Sequence, residues 1–179
     1  MTTTLLLCRH AEAGRVDQVG ALARALSAIP LAAVYTSPLE RAIETARAVA
    51  VEHGLAPVEI GDLREIDFGE VDGLTFDGLP AELQAGLLTD PTSVRFPGGE
   101  TYDELRERVC RALDRIVRDH PGRAVAVVSH AGAIRAALAV WLCIADRAIF
   151  RIEQRFAAVN VVDWIDGAPL VRLVNGTSP

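Results

Sequence analysis

Thr4-Leu5-Leu6-Leu7-Cys8, followed at once by Arg9-His10, is an unbroken apolar run that stops at a guanidinium and an imidazole. A continuous run of this length predicts a strand buried on both faces, where an amphipathic helix would show polar residues every third or fourth position. Its C-terminal end is where open α/β sheets place their ligands. Outward from it, Val19 to Leu26 repeats apolar positions at helical spacing and Leu31 to Tyr35 is a second buried strand. Ser37-Pro38-Leu39-Glu40 has the composition of a helix start with a Ser cap and Pro at the first helical position, and the helix is expected to run to His53. Pro57 to Ile60 predicts a third strand. The stretch from Gly61 to Gly99 is rich in Gly, Pro and Asp, with Ala81 to Leu88 as a short helix. Thr101 and Glu104 form a capping box that opens a helix with Leu105, Val109, Leu113, Ile116 and Val117 on one face. Ala124 to Val128 is another buried strand, Ala131 to Ile144 a helix, and Ala157–Ile165 with Pro169–Val174 a hairpin about Asp166-Gly167. Alternating strands and helices predict a three-layer α/β/α sandwich, its sheet mostly parallel with an antiparallel edge strand.

The chain of 179 residues fits one domain over 1–179, with 50% hydrophobic and 23% charged residues. All 18 basic residues are arginine, which excludes a Walker A lysine, a kinase lysine and Schiff-base chemistry. A net charge of −6 and an aromatic content of 5% argue against nucleic acid as a partner. The N-terminus lacks a basic leader segment, and the longest apolar run, Ala136 to Ala145, is far short of a membrane span. A cytoplasmic protein with no membrane partner is expected, and Cys8, Cys110 and Cys143 read as small buried hydrophobes.

The four histidines divide by position. His53 and His120 lie at helix C-termini, where an imidazolium suits the helix dipole and needs no further role. His10 and His130 each follow the carboxyl end of a buried strand. Arg41 puts a cation in the first turns of a helix, where the dipole disfavours it unless an anion binds there. With Arg9 beside His10, the set matches phosphoryl chemistry: two guanidiniums neutralise the dianion, one histidine attacks phosphorus and another donates to an equatorial oxygen. The leaving alkoxide needs a proton, and Glu65, Asp67, Glu70 and Asp72 are all candidates that spacing does not separate.

Leu6-Leu7-Cys8-Arg9-His10-Ala11-Glu12 resembles the Arg-His-Gly signature of the histidine phosphatase superfamily, the phosphoglycerate mutase-like proteins. Four further blocks follow in family order: Thr36–Ala42 with Thr45-Ala46, Leu63–Gly69 with Asp72-Gly73, Pro97–Thr101, and Val127–Gly132. The resemblance implies that His10 is the nucleophile, that Arg9, Arg41 and His130 cradle the phosphate with the Ala131 amide, and that Glu65 is the proton donor. It implies no metal or other cofactor. The sequence departs from the family at Ala11, where glycine is usual, and in the segment Ala13 to Gln18, where a longer loop is usual.

The expected function is hydrolysis of a small phosphomonoester through a phosphohistidine, with a homodimer as a compatible assembly. The alternatives are a phosphoglycerate mutase and a phospho-ligand-binding module of low turnover. A mutase needs a covering lid and extra cations. The segment from Thr75 to Gly99 is short and has only Arg95 as a cation, and the chain stops soon after the hairpin. A cysteine phosphatase is excluded because Arg15 falls one place too late after Cys8 for a Cys-x5-Arg loop, and two histidines 120 residues apart form no metal-ligand spacing.

Overall fold

Six strands form a single sheet in the order β3-β2-β4-β1-β5-β6. The computed structural model describes residues 1–179, the Asp146 side chain excepted. The strands are β1 (Thr2–Arg9), β2 (Leu31–Thr36), β3 (Pro57–Glu59), β4 (Ala124–Ser129), β5 (Val159–Ile165) and β6 (Ala168–Gly176). The helices are α1 (Val16–Leu26), α2 (Glu40–Val51), α3 (Ala81–Thr89), α4 (Tyr102–Asp119) and α5 (Ala131–Trp141). β1 and β2 both run parallel to β4, and β3 runs parallel to β2.

The opening run is apolar throughout because both its faces are covered. Leu5 and Leu7 join Val125 and Val127 in a core with α4 and α5, while Leu6 and Cys8 join Ala126 and Val128 in a second core with α1 and α2. Each fully buried leucine contributes about 1.5–3 kcal/mol, so β1 and β4 are the most heavily stabilised strands of the sheet.

The antiparallel part is larger than an edge strand. β5 lies inside the sheet, antiparallel to both β1 and β6, and β6 forms the edge. The hairpin turn at Asp166-Gly167 has φ of 51° and 85°, the pair of left-handed residues that a tight two-residue hairpin requires.

Four local expectations are corrected. α2 starts at Glu40, after an N-cap at Leu39 that makes no side-chain cap hydrogen bond, so Ser37 does not cap it and Pro38 is not its first residue. The Ser37 hydroxyl is instead engaged by His130. Its helix also ends at Val51, before His53, and α5 ends at Trp141, before Ile144. Cys143 adopts φ 52°, which a continuing helix does not allow, and is exposed, unlike buried Cys8. The capping box at Thr101 is present: its side chain accepts from the Glu104 amide at 3.2 Å and Glu104 accepts from the Thr101 amide at 2.8 Å.

The Gly-rich region folds through close backbone contacts. Gly69 has φ 55°, and a Cβ there would stand 2.1 Å from the Pro97 carbonyl. Only glycine fits where these loops cross. The crossing is fixed by Glu70 N–H to Pro97 O at 2.8 Å and Glu100 N–H to Asp67 O at 2.9 Å.

Candidate active site

β1 and β4 pair with Arg9 opposite Ser129, so the next residues, His10 and His130, emerge side by side. Their rings are 4.9 Å apart, centroid to centroid. The chain leaves β1 toward α1 and leaves β4 into α5, and these helices pack in different cores. The two histidines therefore stand at the crevice where the winding of the sheet reverses.

His10 is buried, and its orientation is fixed at both nitrogens. Nδ1 lies 2.7 Å from the Ala11 carbonyl, which makes it the protonated nitrogen. Nε2 accepts from the Arg41 Nε–H at 3.2 Å, so its lone pair is directed at the Arg41 guanidinium. Burial lowers its pKa to about 4, with the charges of Arg41 and Arg9 adding to the effect and the Ala11 hydrogen bond opposing it. The ring is thus neutral at physiological pH, as a nitrogen nucleophile must be. Ala11 fits its place without left-handed backbone, and its amide donates to the Thr45 hydroxyl at 3.0 Å.

Arg41 is the second residue of α2, and its side chain turns back across the start of the helix toward His10. Arg9 donates from Nη1 to the Gln154 carbonyl at 2.5 Å and lies 3.7 Å over the Phe156 ring. Gln154 is itself paired with Asn160 of β5. His130 is fully buried, its Nε2 2.7 Å from the Ser37 hydroxyl. Burial first, then the charges of His10, Arg41 and Arg9, push its pKa down to about 2. Its Nδ1 is buried without a hydrogen-bond partner. Ala131 begins α5, so its amide is among the helix-start donors that face outward along the helix axis.

Of the four acids that spacing leaves open, Glu65 is the one tied to the strand end. Its Oε2 accepts from the Gly132 amide at 3.0 Å and its Oε1 from the Ile66 amide. Gly132 has no Cβ because one would lie 2.2 Å from Glu65 Oε1. Asp67 instead accepts from the Gly69 amide, Glu70 is exposed against Gly98, and Asp72 lines the outer cavity with Arg41. That cavity, of about 260 Å³, is bounded by Arg41, Glu65 and Asp67. Among the described residues no group of three or more His, Cys, Asp or Glu is arranged to hold a metal ion.

Sequence reading missed the residue that holds Glu65 in place. Arg108 of α4 is buried and donates to the carbonyls of Asp62, Arg64 and Glu65 at 2.8–2.9 Å, and from Nε and Nη2 to Glu100 at 2.7 Å. Burial alone would raise the Glu100 carboxyl, but the Arg108 hydrogen bonds and the Asp67 amide outweigh it and hold its pKa below the usual value. The signal was present: Arg108 breaks the apolar face made by Leu105, Val109 and Ala112.

The family model described as the histidine phosphatase superfamily (branch 1) matches residues 5–177. This chain belongs to the histidine phosphatase superfamily. Within that superfamily it is 40% identical, over 98% of its length, to the bifunctional protein Rv2228c of Mycobacterium tuberculosis, covering 54% of that protein. The chain thus spans about half the length of the first curated relatives it matches. It is 36% identical to the metal-independent phosphoserine phosphatase of Arabidopsis thaliana, over 58% of this chain and 46% of that protein. The fold superposes on Bacillus stearothermophilus YhfR with a TM-score of 0.89 at 24% identity, covering 97% of each chain.

Proposed function

We propose that the protein hydrolyses small phosphomonoesters through a phosphohistidine formed on His10. The observation that carries this reading is the fixed tautomer: Nδ1 is committed to the Ala11 carbonyl, and a neutral Nε2 faces the crevice between two guanidiniums. In the first step Nε2 attacks phosphorus, the bond from phosphorus to the ester oxygen breaks, and Glu65 gives its proton to the departing alcohol. Arg9 and Arg41 neutralise the charge on the equatorial oxygens, to which neutral His130 and the Ala131 amide donate hydrogen bonds. In the second step water attacks phosphorus, loses its proton to Glu65, and the bond from phosphorus to Nε2 breaks. No metal takes part, a reading supported by the similarity to the metal-independent phosphoserine phosphatase of Arabidopsis thaliana.

Phosphatase is preferred to mutase because of the cations. Arg95, the one cation noted between Thr75 and Gly99, is committed to Glu104 at 2.7 Å and to the Gly99 carbonyl. It is therefore not available to hold a substrate carboxylate during reorientation. A module that only binds phosphate would need neither a neutral nucleophile nor a carboxylate held beside it.

Rapid quenching with a labelled phosphomonoester is expected to trap an acid-labile phosphoenzyme that is absent from His10→Ala, and full activity in that variant would overturn the mechanism. Incubation with 3-phosphoglycerate and a 2,3-bisphosphoglycerate primer is expected to yield inorganic phosphate; predominant 2-phosphoglycerate would make the protein a mutase. Exhaustive EDTA treatment is expected to leave the rate unchanged.

A further inference from the structure

A second cavity, also about 260 Å³, lies on the other flank of Glu65 and is not used by the mechanism above. Phe68, Leu87, Phe96, Ile149 and Phe150 line it, and Glu65 and Gly132 form its inner wall. Glu65 therefore stands between two cavities of different character. One is mixed, with Arg41, Arg64 and Asp67 beside Leu39 and Phe68; the other, apart from Glu65 and Arg135, is lined mainly by aromatic and aliphatic side chains. Resting on the reading of Glu65 as proton donor, we propose that the apolar cavity receives the carbon chain of the departing alcohol, so that preferred substrates are phosphomonoesters of apolar alcohols and not of polyols or sugars.

The geometry behind this is short. The ester oxygen must lie against Glu65 to be protonated, so the carbon attached to it begins beside that carboxylate. The phosphoryl oxygens take the side with Arg41, which leaves the apolar flank for the alcohol. A polyol there would give up hydration of its hydroxyls with few polar groups to replace it, whereas an alkyl or aryl chain gains from leaving water.

The walls come from three separate elements that the fold ties together. Leu87 belongs to α3, Phe96 packs edge-on against Phe68 at 4.9 Å between centroids, and Ile149 and Phe150 belong to the 3₁₀ segment Asp146–Arg151. Arg135 of α5 holds that last wall, its Nε donating to the Ile152 carbonyl at 2.8 Å and its guanidinium lying 5.7 Å from the Phe150 ring centroid. Phe150 is 60% exposed and stands at the rim of the cavity.

The test is calorimetric binding of straight-chain alkylphosphonic acids, ethyl to octyl, to the wild-type chain, beside hydrolysis rates for the matching alkyl phosphates and for glycerol phosphate. Each added methylene is expected to tighten binding about fourfold until the cavity is full, and kcat/KM to rise in parallel above that of glycerol phosphate. Leu87→Trp, which fills the cavity, is expected to cut octylphosphonate affinity at least tenfold while leaving ethylphosphonate within twofold. Phe150→Asp, on the exposed rim, is expected to act the same way without burdening the fold. Affinity independent of chain length, no phosphonate binding, or equal losses for ethyl and octyl chains would each overturn the inference. The two readings fail separately. Hydrolysis with no chain-length dependence defeats only this one, and chain-length-dependent binding without turnover defeats only the phosphatase.

Discussion

At the scale of single residues, the site depends on two imidazoles kept neutral and one carboxylate kept close. Glu65→Gln retains shape but removes the proton, and it exchanges one of the two oxygens that accept from the Ile66 and Gly132 amides for an NH2 group. Its kcat on alkyl phosphates is expected to fall by about 10²–10⁴-fold, and that on p-nitrophenyl phosphate much less, because a phenolate leaves with little protonation. Steady-state kinetics on both substrates measures the difference. Burial lowers His10 to about 4 and His130 to about 2, against an ordinary value near 6.5. The unfolded chain therefore binds more protons than the native one once pH falls below about 6.5, so stability rises with pH in that window. Acidification is expected to lower the urea midpoint from about pH 6.5 downward, with the His10 share complete near pH 4 and the His130 share continuing below it. His130→Asn is expected to flatten the decline between pH 6.5 and 5 in urea titrations.

At the scale of elements, α4 does more than cover the sheet. Arg108 joins it to the carbonyls of Asp62, Arg64 and Glu65, and to Glu100 in the loop that crosses Asp67. Arg108→Met would leave the partly buried Glu100 carboxylate with only the Asp67 amide at 3.0 Å and Arg64 at 3.6 Å, a cost of about 1–3 kcal/mol, measurable by denaturant unfolding. Arg108→Met with Glu100→Gln is expected to recover part of that stability. It should not recover kcat, because the three carbonyls that set the Glu65 backbone would still lack their donor. Arg108 is thus a positioning residue, and a common recovery of stability and kcat would show its role to be structural only. Thr101, by contrast, acts locally, and its capping box secures the α4 end nearest this network.

At the scale of the whole molecule, the site is placed on the most rigid part of the sheet. Leu5–Cys8 and Val125–Val128 are at most 1% exposed, and β1 and β4 each have hydrogen-bonded neighbours on both sides. β3 and β6 are the edges. Native-state amide exchange is expected to show β1 and β4 opening only with global unfolding, and β3, β6 and α3 exchanging through smaller local openings. Among the described residues no helix is long and apolar enough to cross a membrane.

Much of this organisation was legible in the residues themselves. Unbroken apolar runs at Thr4–Cys8 and Ala124–Val128 announce strands covered on both faces, and the Thr101 box and Asp166-Gly167 turn act through neighbours a few residues apart, so short stretches of sequence contain the whole interaction. His10 and His130 could be singled out because each follows such a run. What sequence could not decide rests on groups that meet across the chain. Ser37 reads as a helix cap, but its hydroxyl has His130, 93 residues away, as a partner at 2.7 Å, and a local cap loses to that buried contact. Spacing left Glu65, Asp67, Glu70 and Asp72 equal and only the family resemblance favoured Glu65; its contact with the Gly132 amide, and the hold of Arg108 on that loop, span more than 40 residues. The sequence by itself therefore determined the strands, the helices and the pair of histidines at their ends, since local pattern and burial dictate these. The tertiary structure alone decided which backbone amides hold Glu65 and which way each ring points, because only chain folding brings those donors and acceptors within hydrogen-bonding distance.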